Sequence, residues 1–205
     1  MWSQRKIFDV ILNTDYNSFL SLETNANNRE VKHYFSKEIQ HKANISSNQL
    51  KHWTIAGVIS PAKPVRGTGR MHQYDHQNLI EVMICRELNK YSINYVVMND
   101  LIKYLRKKEL NFSFTIPSYD RPDPLEIKKS LTLYEFIKIY YQSAEIFLTL
   151  SKDPRIPNII DQDEYRVDIS FDSDDLSDIL QHCPSIVLIS LSRLIEEAGV
   201  FFKED

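Results

Sequence analysis

The chain contains few of the residues that several functional classes require. Two cysteines, Cys85 and Cys183, occur in 205 residues, which is too few for a disulfide framework and indicates a reducing compartment. Four glycines leave no phosphate-cradling loop, and the sequence has no nucleophile elbow and no paired Cys/His motif. No apolar run approaches the ~20 residues of a membrane-spanning helix, and the N-terminus does not have the pattern of a secretory signal. We therefore expect a cytoplasmic protein that is not an enzyme and uses no metal, cofactor or membrane.

Charge is present in ordinary amount but is unevenly distributed along the chain. Residues 32–74 contain seven basic residues and one acidic residue, a net charge of +6, and four of the six histidines. Residues 151–205 contain five basic and thirteen acidic residues, a net charge of −8. A basic block joined to an acidic one is typical of a polyanion-binding module attached to a second domain that does not bind the polyanion. The plain alternative is a chance gradient of surface charge.

The basic block has the cap and turn residues expected of two short helices followed by a hairpin. Ser36 is placed to cap the first helix, and the second covers residues 46–55, with Ser46 as its cap and Gly57 just past its end. Residues 62–73 contain two glycines and no acid, which favours a glycine-tipped basic hairpin. Two longer helices follow, one capped by Asp75 and one predicted over residues 92–108, opened by a serine.

The remainder of the chain mixes strand and helix patterns. Three prolines predict a linker, and alternation of β-branched residues predicts three strands further on. The predicted segments are a helical extension 1–31, a winged helix-turn-helix domain 32–108, a linker 109–125, and a dimerisation or sensing domain 126–205. The predicted elements of the last are helices 126–145, 172–182 and 192–202 and strands 145–151, 165–171 and 185–191. We expect an α+β protein with an N-terminal winged helix-turn-helix DNA-binding domain and a small α/β C-terminal domain.

A short capped helix followed by a basic hairpin is the arrangement that reads DNA. The helix over residues 46–55 would enter the major groove, and the wing, residues 62–73, would contact the backbone. The predicted DNA-binding residues are Ser47, Asn48, Gln49, Lys51, His52, Arg66, Arg70, His72 and Tyr74. Asn and Gln side chains suit adenine, and Lys and Arg suit phosphate. Each has a plain alternative as a solvated charge, a cap or, for Tyr74, a packing residue.

Residues 34–61, "YFSKEIQHKANISSNQLKHWTIAGVISP", resemble the opening of the MerR family of bacterial transcription regulators. Tyr34, the pair Glu38-Ile39, "NIS", "QLKHWT", "GVI" and Pro61 correspond in spacing to that family's tyrosine, glutamate-apolar pair, "GVS", "TLRYYE" helix, "GL" and closing proline. The wing "RGTGRMHQYD" resembles its "GYRxY" element. The resemblance implies a sequence-specific regulator that binds double-stranded DNA as a homodimer in the bacterial nucleoid. RNA polymerase or another protein is a further partner that it implies.

Three positions depart from the family pattern. The arginine of the family's recognition helix corresponds to Lys51 in this chain, and the tyrosine of that helix corresponds to His52. The arginine of the family's wing aligns with His72. Lysine gives a point charge where arginine gives a bidentate fork. Because histidine titrates near pH 6.5, we expect His52 and His72 to add DNA affinity at lower pH.

Two other functions remain open from the sequence. One is an architectural DNA binder of phage or plasmid type, such as a recombination or partition accessory factor. The other is a protein–protein module that keeps the winged fold and recruits a partner through the acidic C-terminal domain.

Overall fold

The computed structural model describes Thr24 and residues 32–64, 71–116, 125–140, 145–152, 165–170 and 186–199. Several predictions lie outside these residues: the N-terminal helical extension, the helix over residues 172–182, Cys183, and the wing arginines Arg66 and Arg70.

Helices α1 (Ser36–Ala43) and α2 (Ser47–Ile55) are joined by a tight turn. Asn44 adopts the left-handed conformation, with φ of 50°, that asparagine tolerates better than most residues. Ser46 caps α2 as predicted, since its Oγ accepts a hydrogen bond from the Gln49 N–H at 3.2 Å. The predicted cap of α1 is wrong: Ser36 is the first helical residue, and the preceding Phe35 donates its N–H to Glu38 Oε2 at 2.7 Å.

Helix α2 ends where the sequence predicts. Gly57 has φ of +74°, a conformation that costs glycine little. The N–H groups of Val58 and Ile59 then both donate to the Trp53 carbonyl, at 2.9 and 3.2 Å. Both side chains are buried, so the chain leaves α2 across the core and not as an extended strand.

A small sheet holds the two ends of the wing segment. Strand β1 (Tyr34–Phe35) pairs antiparallel with β2 (Gln73–Tyr74), and Lys63 forms an antiparallel bridge with Gln73. The bridge brings the two arms of the predicted hairpin together, with residues 65–70 between them outside the described part. Helix α3 (His76–Lys90) follows and is capped by Asp75, whose Oδ1 accepts the Asn78 N–H at 2.8 Å.

Helix α4 (Tyr95–Lys107) begins later than predicted. Asn94, and not Ser92, caps it, because Asn94 Oδ1 accepts the Val97 N–H at 2.9 Å. Ser92 instead has φ of 58° in the turn after α3. Arg106 and Lys107 lie in the last turn of α4, where positive charge favours the helix dipole.

The predicted linker, residues 109–125, is wrong in its secondary structure. Strand β3 (Glu109–Ile116) pairs antiparallel with β4 (Leu125–Thr132) over eight residues each, and helix α5 (Leu133–Tyr140) follows directly. The prediction of helix from residue 126 is therefore wrong over the length of β4. Residues 109–116 alternate polar and apolar, which is the strand pattern, whereas the prolines that suggested a linker all fall between the strands, in 117–124.

A three-stranded antiparallel sheet and one helix complete the described fold. Strand β5 (Phe147–Lys152) lies between β6 (Tyr165–Ser170) and β7 (Ile186–Ser190), and helix α6 (Leu191–Ala198) follows. These three strands and the last helix confirm the sequence prediction. All described strand pairs are antiparallel, so the molecule is α+β, and the expected α/β C-terminal domain is corrected to α+β.

One cluster of buried apolar side chains extends across the described residues, from Tyr34 to Ala198. It includes α1 to α4 and also β5, β7 and α6, so side chains of both predicted domains share it. The domain boundaries themselves stay a prediction. None of the described helices is long and apolar enough to cross a membrane.

Candidate nucleic-acid interface

Helix α2 has one polar face and one buried face. Leu50 and Trp53 are 2 % and 0 % exposed, three residues apart on the inner face. Four of the predicted DNA-binding residues are exposed on the other side, namely Ser47, Asn48, Lys51 and His52. Because residues four apart are neighbours on a helix, Ser47 stands beside Lys51 and Asn48 beside His52. The N-terminal half of α2 thus presents amide, hydroxyl and cationic groups together.

Gln49 contributes less to this face than the sequence suggests. Its side chain is half-buried, and its Oε1 accepts the Ser46 N–H at 2.9 Å. Together with the Ser46 hydroxyl this forms a reciprocal capping box. Gln49 therefore serves chiefly to begin α2, and Ser47 and Asn48 are the exposed uncharged polar residues of its first turn.

The wing predictions divide into those the structure describes and those it does not. Tyr74 is 2 % exposed in β2, which agrees with the packing role left open for it, and its contact with DNA stays a prediction. His72 is half-buried, with its ring edge-on to Tyr74 at 6.4 Å between centroids. Arg66 and Arg70 lie outside the described residues. Lys63, on the described arm, is exposed and is a basic residue that the prediction missed.

Two exposed apolar side chains near this surface were also missed. Ile55, in the last turn of α2, is 75 % exposed, and Met71, on the second arm, is 62 % exposed. A helical wheel would have found Ile55, since it lies five positions beyond Leu50 and thus off the buried stripe. Apolar side chains at a DNA surface can contact the thymine methyl group.

Two asparagines fix the position of α2 relative to the wing and to α4. Asn78 is 4 % exposed; it donates to the Ser60 carbonyl at 3.0 Å and accepts the Ala62 N–H at 2.9 Å. It therefore ties the chain that leaves α2 to the first turn of α3. Asn99, with its amide oriented to match its neighbours, donates to the Gly57 carbonyl at 3.2 Å. Sequence reasoning overlooked both residues. Asn78 carried a usable signal as a polar residue in the first turn of α3, whereas Asn99 lies past the first turn of α4.

A buried ion pair braces the helices behind α2. Glu81 of α3 is 0 % exposed and accepts two hydrogen bonds from Arg106 of α4, at 2.7 and 2.6 Å. Gln77 and Asn78 also donate to this carboxylate. The bidentate bond to Glu81 raises the pKa of Arg106 above its ordinary value, so the guanidinium is charged.

A cationic environment surrounds the start of α3. The Nζ atoms of Lys32 and Lys42 lie 5.6 and 5.9 Å from the Tyr34 ring centroid, and the His76 ring lies 5.4 Å from it. Burial lowers the pKa of His76 to about 4; Asp75 opposes this shift, whereas Lys138, Lys32 and Lys42 add to it. His76 is therefore neutral at physiological pH. Burial, assisted by Glu38, raises the pKa of Tyr34 to about 12.

The described residues bring together no three His, Cys, Asp or Glu side chains in an arrangement that would hold a metal ion. Cys85 lies in the core, where burial raises the pKa of its thiol and leaves it protonated. Neither a protein-family model nor a curated protein matches this chain.

Proposed function

We propose that this protein is a sequence-specific, DNA-binding transcription regulator of winged helix-turn-helix type, similar to the MerR family. The observation that carries the proposal is the amphipathic division of α2. Its inner residues are fully buried, while Ser47, Asn48, Lys51 and His52 are exposed together on its outer face. A short, firmly anchored helix with such a face is what the major groove admits.

The chain around α2 supports the same function. The turn before α2 makes α1 and α2 a two-helix unit, and the Lys63–Gln73 bridge joins the two described arms of the segment that follows. Residues 32–74 have a net charge of +6, which would attract a phosphate backbone. The resemblance of residues 34–61 to the MerR opening adds to this, and implies an inverted-repeat site bound by a homodimer. The proposal includes no catalytic step and no cofactor.

Salt dependence of binding tests the proposal. A duplex mobility-shift series would be run for the wild type and for the double variant Arg66→Ala/Arg70→Ala. Because each lost phosphate contact lowers the slope of log K against log salt by about 1, we expect the double variant to bind all sequences more weakly, with a slope shallower by roughly 2. Arg193→Ala, an exposed arginine on α6, is the matched control and should leave the slope unchanged. An unchanged slope in the double variant would count against DNA binding by the wing.

A protein–protein module is the second candidate, and the exposed side chains of Ile55 and Met71 favour it. Those residues would then meet an apolar partner surface instead of DNA. The two candidates differ in their affinity for duplex DNA, which Ile55→Ser should not change in either case. A DNA reader would keep its affinity for random duplex, whereas a protein module would have no measurable duplex affinity at physiological salt with or without the substitution. An architectural DNA binder would show duplex affinity without sequence preference.

A further inference from the structure

Strand β7 is an open edge of the three-stranded sheet. It pairs with β5 on one side, and no strand among the described residues pairs with its other side. Its sequence, "IVLIS", contains no charged residue and no proline, and its register with β5 is unbroken. Leu188, at the centre of β7, is 39 % exposed. Because proteins commonly protect a free edge with charge, proline or a bulge, an apolar edge that has none of these is a template for another strand.

The hydrogen-bond pattern identifies which backbone groups of β7 face the open edge. The Leu191 N–H donates to the Ile146 carbonyl at 2.8 Å, and these two residues continue the β5–β7 register by one step. Backbone groups alternate in direction along a strand, so the odd-numbered residues of β7 bond to β5. The backbone groups of Ile186 and Leu188 therefore point away from the sheet, and no described residue forms a hydrogen bond with them.

A second copy of β7 matches this edge in charge. The other described strands of more than two residues, β3 to β6, each contain at least one acidic or basic residue, whereas β7 contains none. An uncharged strand opposite β7 brings no charge that would lose its water at the contact. A contact between two copies of β7 also covers both open edges at once, so the assembly closes as a dimer. The proposed function includes a homodimer, and the choice of a second copy rests on it in this respect.

One antiparallel register pairs the whole of β7 with its copy. Outward backbone groups must meet outward ones, so the two-fold axis lies at a residue and not between two residues. With the axis at Leu188, all five residues of β7 are paired. Moving the axis by one residue in either direction leaves about three of the five paired, which forfeits backbone hydrogen bonds. In the full register Leu188 lies opposite Leu188 of the other copy, and Ile186 lies opposite Ser190.

We infer that the outer edge of β7 is a homodimer interface, in which two sheets join into one six-stranded antiparallel sheet in the order β6-β5-β7-β7-β5-β6. The two-fold axis is perpendicular to the sheet, so it keeps equivalent faces on the same side. Val187 of each copy then lies opposite Ile189 of the other. Both share a face with the buried Leu148 and Leu150, so this apolar face is continuous across the axis. Five residues per copy is far fewer than the about 20–30 residues a side of a standard interface, so the dimer dissociates on dilution.

Charged substitutions at the axis test this interface by sedimentation velocity. Leu188→Lys and Leu188→Glu each place two like charges directly opposite each other, so each should raise the dimer dissociation constant roughly tenfold or more. An equimolar mixture of the two variants places opposite charges together, and should dimerise roughly fivefold more tightly than either variant alone. Val96→Lys and Val96→Glu, at an apolar position on α4 that is 49 % exposed, are the matched controls and should leave the constant unchanged.

Cross-linking locates the axis. At Leu188 the two copies form a hydrogen-bonded pair with Cα atoms about 5.5 Å apart, a distance that a disulfide spans. At Ile186 the two copies lie roughly 13 Å apart along the strand, which no disulfide spans. In a Cys183→Ser background, Leu188→Cys should therefore give a disulfide-linked dimer on oxidation, and Ile186→Cys should not. Far-UV circular dichroism confirms that each variant is folded.

Three results would overturn the inference. The wild type could remain a monomer up to roughly 100 µM. The mixture of Leu188→Lys and Leu188→Glu could dimerise no better than either variant alone. Ile186→Cys could cross-link as well as Leu188→Cys. All of these are measured without DNA, so their failure leaves the proposed DNA-binding face of α2 untouched, and loss of DNA binding leaves this interface untouched.

Discussion

At the scale of single residues, the proposed function assigns base reading and backbone binding to different residues on the outer face of α2. Asn48 carries an amide that can donate to and accept from one base, whereas Lys51 carries a charge that any phosphate attracts. We expect Asn48→Ala to weaken binding to the preferred sequence by about 1–3 kcal/mol and to leave binding to unrelated duplex unchanged.

Lys51→Ala should behave differently, although Lys51 lies only about one helical turn from Asn48 on the same face of α2. It should weaken binding to all sequences alike and reduce the salt slope by about 1. Titrations of both variants against the preferred and a scrambled duplex at several salt concentrations measure both effects. Identical behaviour of the two variants would contradict this division of roles.

His76 gives the molecule a predictable loss of stability in acid. Its folded-state pKa of about 4 lies below the ordinary value of 6.5, so the unfolded chain binds the proton more tightly. The penalty is absent above about pH 6.5, grows as the pH falls, and is complete below about pH 4. Because the ring is partly exposed, solvent screening reduces it to the order of 1 kcal/mol.

The variant His76→Gln isolates this contribution from the carboxylates that titrate in the same range. Urea unfolding at pH 7 and pH 4.5 would be compared for the two proteins. We expect the wild type to lose more stability between these pH values than the variant does. Equal losses would show that His76 is not the group responsible.

At the scale of secondary-structure elements, the sequence predicted most of what places α2. The cap at Ser46 and the end at Gly57 are local signals, because capping depends on neighbours only a turn away. The burial of Leu50 and Trp53 follows the helical period in the same way. The outward exposure of Asn48 and Lys51 follows from the same periodicity.

The elements that the sequence did not predict depend on distant partners. The alternation in β3 became a strand only through its pairing with β4, and the prolines that suggested a linker lie between those two strands. The roles of Asn78 and Glu81 were not visible either, because their hydrogen bonds reach Ser60 and Arg106, far along the chain. Tyr74 was ambiguous for the same reason, since its burial depends on pairing with Tyr34.

The ion pair between α3 and α4 should be asymmetric in its response to substitution. Glu81 is 0 % exposed, while the Arg106 side chain is 27 % exposed. Arg106→Met leaves a buried carboxylate without its cation and should cost about 3–5 kcal/mol. Glu81→Gln keeps an acceptor, and its guanidinium partner can reach water, so it should cost about 1–3 kcal/mol. Chemical unfolding at neutral pH measures both, and a larger cost for Glu81→Gln would contradict the asymmetry.

At the scale of the whole molecule, helix α6 is attached to α1 and α3. Arg86 of α3 donates to both carboxylate oxygens of Glu197, at 2.6 and 2.8 Å, and to the Ala43 carbonyl at 3.1 Å. Lys42 donates to the Ala198 carbonyl at 2.9 Å. With the continuous apolar core, these contacts predict that the N-terminal and C-terminal parts unfold as one cooperative unit.

Chemical unfolding of the wild type and variants tests whether the two parts of the chain unfold in one cooperative transition. Trp53 fluorescence in a Trp2→Phe background reports the α2 region, and far-UV circular dichroism reports the whole chain. We expect coincident transitions, a loss of about 1–3 kcal/mol for Arg86→Ala, and under about 1 kcal/mol for Glu197→Gln, whose carboxylate is half exposed. Separate transitions for the two probes would mean that two domains unfold independently.

The measurement that tests the central claim most directly is selection of bound sequences from random duplex DNA by the purified protein. The account predicts an enriched inverted repeat whose half-sites are spaced by about one helical turn, 10–10.5 base pairs, or a multiple of it. It also predicts that Asn48→Ala changes the enriched bases while Lys51→Ala only lowers recovery. Recovery of no enriched sequence, or of the same sequence by Asn48→Ala, would contradict the claim that α2 reads DNA.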